Sequence, residues 1–140
     1  MDILEKAEIL LVEDNPIDRQ LTLATLKKHD FARLIHVVED GEQALEYLFN
    51  KDNSGSQLDS KPRVILLDLK LPKVDGIEVL RKIKLDDRTK NIPVIVLTSS
   101  AEEFDIVKSY SLGVSGYLLK PFAFSEFQKA VLEAISTTYS

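Results

Sequence analysis

Arg63-Val-Ile-Leu-Leu-Asp68-Leu-Lys-Leu-Pro-Lys-Val-Asp-Gly76 is the stretch on which the reading of the whole chain turns. Val64 to Leu67 is an unbroken apolar run, β-branched at its start and short enough for a strand. It stops at a carboxylate, a proline and an Asp-Gly turn signal. A strand apolar on both faces belongs inside a sheet covered on both sides, and it delivers Asp68 to its carboxyl end. In open parallel sheets the loops splay apart at that end and leave a crevice for ligands. Asp68 is therefore the first candidate for a reactive group.

Working outward, the same grammar recurs. Glu8-Ile-Leu-Leu-Val12 is an apolar run that ends in Glu13-Asp14, and Asn15-Pro16 then opens a helix with Asp18 near its positive end. Ile17, Leu21 and Ala24 recur at helical spacing as far as about Lys28. Leu34 to Val38 is a weaker strand running into Glu39-Asp40-Gly41, followed by a helix marked by Ala44, Leu45 and Leu48. Residues 51–62 turn polar and rich in turn formers, which predicts an exposed loop. After the central strand a helix runs from Asp75-Gly76 through Ile77, Leu80, Ile83 and Lys84. Pro93 to Leu97 is a fourth strand ending in Thr98-Ser-Ser100, Glu102 to Tyr110 a helix, and Val114 to Leu119 a fifth strand met at once by Lys120-Pro121. The last helix places Phe124, Phe127, Val131 and Ile135 on one face, with Phe122 before it. Most of these phenylalanines are expected in the core. Strand and helix alternate five times, so the expected fold is α/β, a doubly wound five-stranded parallel sheet with helices on both faces.

Bulk properties bound the function. At 140 residues the chain fits a single domain spanning 1–140, too short for a separate effector beside it. A net charge of −5 argues against nucleic-acid binding, which needs basic surface for phosphates. No apolar run approaches the roughly 20 residues that span a bilayer, and no secretion signal opens the chain. The absence of cysteine removes disulfides and thiolate metal sites, so the cytoplasm is the expected compartment. His29 and His36 are read as structural, not as a metal pair.

What stands at the strand ends carries the chemistry. The first strand supplies Glu13 and Asp14, the third Asp68, the fourth Thr98 and the fifth Lys120. If these converge, three carboxylates repel one another and drive a proton onto one of them unless a cation intervenes. Mg2+ takes oxygen ligands and keeps several waters, which suits carboxylates and an incoming phosphoryl group. Asp68 is then an ionised nucleophile able to form an acyl phosphate. Thr98 supplies a hydroxyl and Lys120 a point charge for the phosphoryl oxygens. Each residue alone has an ordinary reading as turn, cap or strand end; four complementary strand ends together do not.

Glu13-Asp14, Asp68, Thr98 and Lys120-Pro121, with the Leu-Pro-x-x-Asp-Gly segment after Asp68, resemble the receiver domain of two-component response regulators. Leu11-Val-Glu-Asp-Asn-Pro16 and Asp68-Leu-Lys-Leu-Pro72 are more narrowly similar to the small receivers that accompany bacterial phytochromes. The resemblance implies strand order 2-1-3-4-5 and phosphorylation of Asp68 by a sensor histidine kinase, a phytochrome among the candidates. It implies Mg2+ bound by Asp14, Asp68 and the Lys70 carbonyl, with Glu13 holding a coordinated water. Thr98 and Lys120 would bind the phosphoryl group, and Pro121 would follow a cis peptide. Thr98 and Tyr117 would form the switch, remodelling the face of the fourth helix, fifth strand and fifth helix. Such a domain is no conventional enzyme: it assists its own phosphorylation and hydrolysis. Lys70, at a position that tunes hydrolysis in the family, is expected to lengthen the acyl-phosphate lifetime. The expected output is a protein contact, with a downstream target, a histidine phosphotransfer protein or a second copy in a homodimer. Two other readings compete. A haloacid-dehalogenase-like phosphatase would need a second Asp where Lys70 stands, and a non-phosphorylated pseudo-receiver binding module would need no intact acidic cluster.

Overall fold

The computed structural model describes residues 8–28, 34–49, 62–71 and 74–139. Five parallel strands, β1 (Glu8–Val12), β2 (Leu34–Val38), β3 (Val64–Asp68), β4 (Val94–Thr98) and β5 (Gly116–Leu119), form one sheet in the order β2-β1-β3-β4-β5. Five helices alternate with them among the described residues: α1 (Pro16–Lys28), α2 (Gly41–Phe49), α3 (Gly76–Leu85), α4 (Ala101–Ser109) and α5 (Phe124–Tyr139). The expected doubly wound sheet and its strand order are therefore observed.

Alternation along each strand divides the core in two. Ile9, Leu11, Val64, Leu66, Ile95 and Leu97 face Leu26 of α1 and Phe127, Val131 and Ile135 of α5. Leu10, Val12, Ile65, Leu67, Val94 and Val96 face Ala44 of α2, Val79, Leu80 and Ile83 of α3 and Val107 of α4. Continuous apolar runs mark β3 and β4 because both of their faces are covered, and all five residues of each are buried. The edges are more polar: His36 on β2 is exposed and stacks on Tyr47 with ring centroids 4.1 Å apart. His29 and residues 51–61 lie outside the described residues, and Pro62, at the end of the polar stretch, is buried.

Several boundaries differ from the sequence reading. Asp68, expected at the carboxyl end of β3, is its last residue and pairs with Leu97, one residue past the apolar run. Pro93 stands just before β4; it has no N–H to give, yet its carbonyl accepts from Ile65 at 3.0 Å. β5 starts at Gly116 because Val114 and Ser115 are still in the approach, where the Ser115 N–H reaches the Val94 carbonyl. The largest correction concerns α1. Its stripe of Ile17, Leu21 and Ala24 points to solvent, with Ile17 71% and Leu21 58% exposed, whereas Thr22 and Leu26 are buried. Phe127 is fully buried, and Phe122 and Phe124 pack against its cluster partly buried, as expected.

Gly76 fixes the loop after β3. The Asp75 carboxylate caps α3 through the Ile77 N–H, and the Gly76 N–H donates to the Leu69 carbonyl at 3.1 Å. A methyl group at Gly76 would lie 2.5 Å from Leu69 Cα and 2.7 Å from the Asp68 carbonyl oxygen, both backbone atoms that cannot turn aside. Gly76→Ala is expected to cost about 1–3 kcal/mol, the usual range for overpacking, and to displace the segment carrying Asp68. Thermal denaturation with and without Mg2+ measures both; a melting curve identical to the parent's would disprove it.

Candidate phosphoacceptor and metal site

The parallel sheet brings its strand ends to one edge, and Glu13, Asp14, Asp68, Thr98 and Lys120 all stand there. Glu13 follows β1 with no exposed surface and is tied in place when its N–H donates to the Val38 carbonyl at 3.1 Å. Asn15 then caps α1, its side-chain oxygen accepting from the N–H groups of Ile17 and Asp18 at 2.9 Å. Asp68 is 4% exposed; its Oδ1 accepts from the Lys70 backbone N–H at 2.9 Å and its Oδ2 from Lys120 Nζ at 2.8 Å. Lys120 also donates to Glu13 Oε1 at 3.0 Å and to Asp18 Oδ2 at 2.9 Å. It is positioned by its own N–H, which donates to the Thr98 carbonyl at 2.7 Å, and the Lys120-Pro121 peptide that follows is cis.

Sequence reasoning missed two participants. Asp18 was read only as a charge favouring the helix dipole, yet it lies in the first turn of a helix that begins beside the site, and this proximity is the signal that points to it. Glu103, in the first turn of α4, accepts the Thr98 hydroxyl hydrogen bond and stands 4.0 Å from Lys70 Nζ. Nothing in the sequence marked it, because its role depends on how α4 docks on β4.

The electrostatics are those of a cation site. Carboxylate oxygens of Glu13, Asp14 and Asp68 lie within 4.8 Å of one another, two of these residues are buried, and a single ammonium serves Glu13, Asp18 and Asp68. Burial, reinforced by the hydrogen bond and charge of Asp68 and only partly offset by Lys120, pushes the Glu13 carboxyl up to about 8. Burial also works against the Lys120 charge, but the hydrogen bonds it donates to Asp18, Asp68 and Glu13 outweigh it and hold the ammonium above its ordinary value. An all-oxygen donor set with negative charge left uncompensated fits a hard divalent ion of the Mg2+ type.

Tyr117 is half-buried on the face that α4 covers. Its ring meets Phe104 edge-on at 5.1 Å, with Lys108 Nζ 5.1 Å above it. Val96 is its partner in β4, so Tyr117 and Thr98 share one face of the sheet. His36 takes no part in the site.

Fold and site together define a class: a doubly wound domain with an aspartate at the end of its central strand, flanked by two further acidic side chains, a hydroxyl and a lysine. The chain belongs to the response regulator receiver domain family, whose model matches residues 9–132. Among curated relatives, the probable methanogenesis regulatory protein FilR2 of Methanothrix harundinacea is 42% identical over 135 residues, covering 94% of this chain and 85% of that one. The bacteriophytochrome response regulator RtBRR superposes with a TM-score of 0.83 at 46% identity, over 92% of this chain and 78% of the other. The phosphorylated cyanobacterial phytochrome response regulator RcpA gives 0.73 at 39% identity, over 96% and 97%. The receiver domain of the sensor histidine kinase PA1611 of Pseudomonas aeruginosa gives 0.75 at 32% identity, over 94% and 98%, and carries a magnesium ion in its active-site cleft. A receiver domain implies a cognate histidine kinase. Among the described residues, no helix is long and apolar enough to cross a membrane.

Proposed function

We propose that the chain is a phosphorylation-controlled signalling switch whose acceptor is Asp68. The observation that carries this reading is the buried Asp68 carboxylate, held at once by Lys120 and by the Lys70 N–H beside Glu13 and Asp14. A carboxylate oxygen of Asp68 attacks the phosphorus of a kinase phosphohistidine; the P–N bond breaks, and its electron pair leaves on the imidazole, which takes up a proton. Lys120 neutralises the developing charge on one phosphoryl oxygen, and the Thr98 hydroxyl donates to another. Asp14, Asp68 and the Lys70 carbonyl would hold Mg2+, with Glu13 acting through a water. When bound, the ion supplies charge neutralisation at the phosphoryl oxygens.

The kinase docks, in this reading, on the outward stripe of α1. Ile17 and Leu21 are exposed there, and Leu21, Thr22 and Phe122 line a cavity of about 300 Å³ that reaches Lys120. An apolar surface beside the acceptor suits an amphipathic helix presenting a histidine. A phytochrome is the sensor kinase favoured by the likeness to RtBRR and RcpA, and the cytoplasm is the compartment such a partnership requires. Output runs through α4, β5 and α5, where Ile106, Tyr110, Leu119 and Leu132 are exposed and Tyr117 lies beneath. Movement of Thr98 toward the phosphoryl group lets Tyr117 turn inward and reshape that face for a downstream protein, a histidine phosphotransfer protein or a second copy.

Incubation with Mg2+ and acetyl phosphate tests the reading by intact mass. One acid-stable, base-labile phosphoryl group is expected on the parent chain and none on Asp68→Asn. Equal incorporation in both, or none in either, would overturn it.

A further inference from the structure

We propose that Glu103 is a positioning residue, a latch that holds the Thr98 hydroxyl away from the acceptor until a phosphoryl group competes for it; this rests on the phosphoacceptor reading above. The Thr98 side chain has one proton to give. In this structure that proton goes to Glu103 Oε1, while the Thr98 oxygen accepts from the Ser100 N–H at 3.1 Å. Both capacities of the hydroxyl are therefore directed toward the start of α4, and donation to a phosphoryl oxygen requires the bond to Glu103 to break. Thr98 is 1% exposed, so no water stands ready to replace a lost partner.

The other oxygen of Glu103 adds a second restraint. Glu103 Oε2 lies 4.0 Å from Lys70 Nζ, and the two side chains come together on the rim of a cavity of about 590 Å³ that also includes Asp14 and Leu69. Lys70 is 68% exposed, so the ion pair itself contributes little to stability. Its consequence is geometric: the residue after next to Asp68 is linked to the first turn of α4 by the same carboxylate that holds Thr98. Arrival of a phosphoryl group brings further negative charge to the site and an acceptor stronger than a shared carboxylate. Thr98 then leaves Glu103, whose other carboxylate oxygen keeps Lys70 as its neighbour. Release of Glu103 frees the first turn of α4, so the latch couples acceptance at Asp68 to the face on which Tyr117 acts.

A latch opposes occupancy, so its removal is expected to tighten binding of a phosphoryl mimic. Trifluoroberyllate affinity is measured by calorimetry in saturating Mg2+ for the parent, Glu103→Ala, Glu103→Gln, Thr98→Val and the double variant Thr98→Val/Glu103→Ala. Loss of a hydrogen bond to a charged acceptor predicts about tenfold tighter binding for Glu103→Ala. Glu103→Gln, which keeps an oxygen without the charge, falls between and decides the matter if the alanine variant fails to fold. In the Thr98→Val background the Glu103→Ala gain disappears, a non-additivity that a merely structural residue would not produce. Unchanged or weaker binding on removal of Glu103, or the same gain with and without the Thr98 hydroxyl, overturns the latch and leaves the acceptor reading intact. Failure of the parent chain to bind trifluoroberyllate at all overturns the acceptor reading, and the latch with it.

Discussion

Lys120→Met is expected to slow phosphorylation from acetyl phosphate by about two to three orders of magnitude while leaving the fold in place when Mg2+ is present. Methionine keeps the length of the side chain and removes the charge. The parent ammonium lies 2.8 Å from Asp68 Oδ2, close to where the phosphoryl oxygens must gather, in a site with little exposed surface. Removing one pre-positioned donor from such a site typically costs about 10²–10³ in rate. A second consequence follows from Glu13. With the ammonium gone, two buried carboxylates face each other without a cation between them, and a proton is drawn onto the pair. Breaking a buried ion pair costs roughly 3–5 kcal/mol when the remaining charge stays uncompensated, and that proton relieves part of it. The variant should therefore melt earlier than the parent in chelator, and Mg2+ should restore much of the difference without restoring the rate. Initial rates read by intact mass, alongside melting curves, test both halves. A rate within about fivefold of the parent would show that Lys120 only holds the carboxylates together, a structural part and no more.

How far the sequence reaches is visible in particular residues. Asp68, Glu13, Asp14, Thr98 and Lys120 were readable because each stands at the end of an apolar strand or just past it, and a parallel sheet collects all such ends at one edge. Position along a strand converts to position in space with little freedom. Helices do not convert so simply. The α1 stripe of Ile17, Leu21 and Ala24 has the spacing of a buried face, yet Thr22 and Leu26 are the residues buried against the sheet. Periodicity reports that an apolar face exists; the angle at which the helix docks decides what covers it. Asp18 and Glu103 were hidden for the same reason. Both sit in first turns of helices whose starts lie beside the site, and their reach to Lys120 and Thr98 exists only once those helices are placed. Glycine 76 read as a turn signal, and its demand for space against the backbone of Asp68 and Leu69 could emerge only from the packed loop.

The uncompensated charge also makes stability depend on pH and metal together, and the expected effect is large. In the metal-free protein the Glu13 carboxyl is pushed up to about 8 from an ordinary value of 4.5, first by burial and then by Asp68. Between those two values the folded state holds a proton that the unfolded state has released, so stability falls as pH rises. The contribution is fully present below 4.5 and lost above about 8. Each unit of such a difference is worth about 1.4 kcal/mol, which places the total on the order of a few kcal/mol. Mg2+ favours the ionised cluster, so its binding releases a proton at neutral pH and stabilises most where Glu13 would otherwise be a buried charge sharing one ammonium with Asp18 and Asp68. Saturating Mg2+ should therefore raise the melting temperature by at least about 5 °C more at pH 8.5 than at pH 6, given roughly 3 °C per kcal/mol for a domain of this size. Glu13→Gln separates this cause from others. It removes the titrating group, keeps the side-chain size, and should flatten the metal-free pH profile while making the Mg2+ increment nearly the same at both pH values. Melting curves of the two proteins in chelator and in Mg2+ across pH 5 to 9 settle the matter: an Mg2+ increment independent of pH in the parent, or a profile unchanged in Glu13→Gln, would mean that the strain in this cluster lies elsewhere.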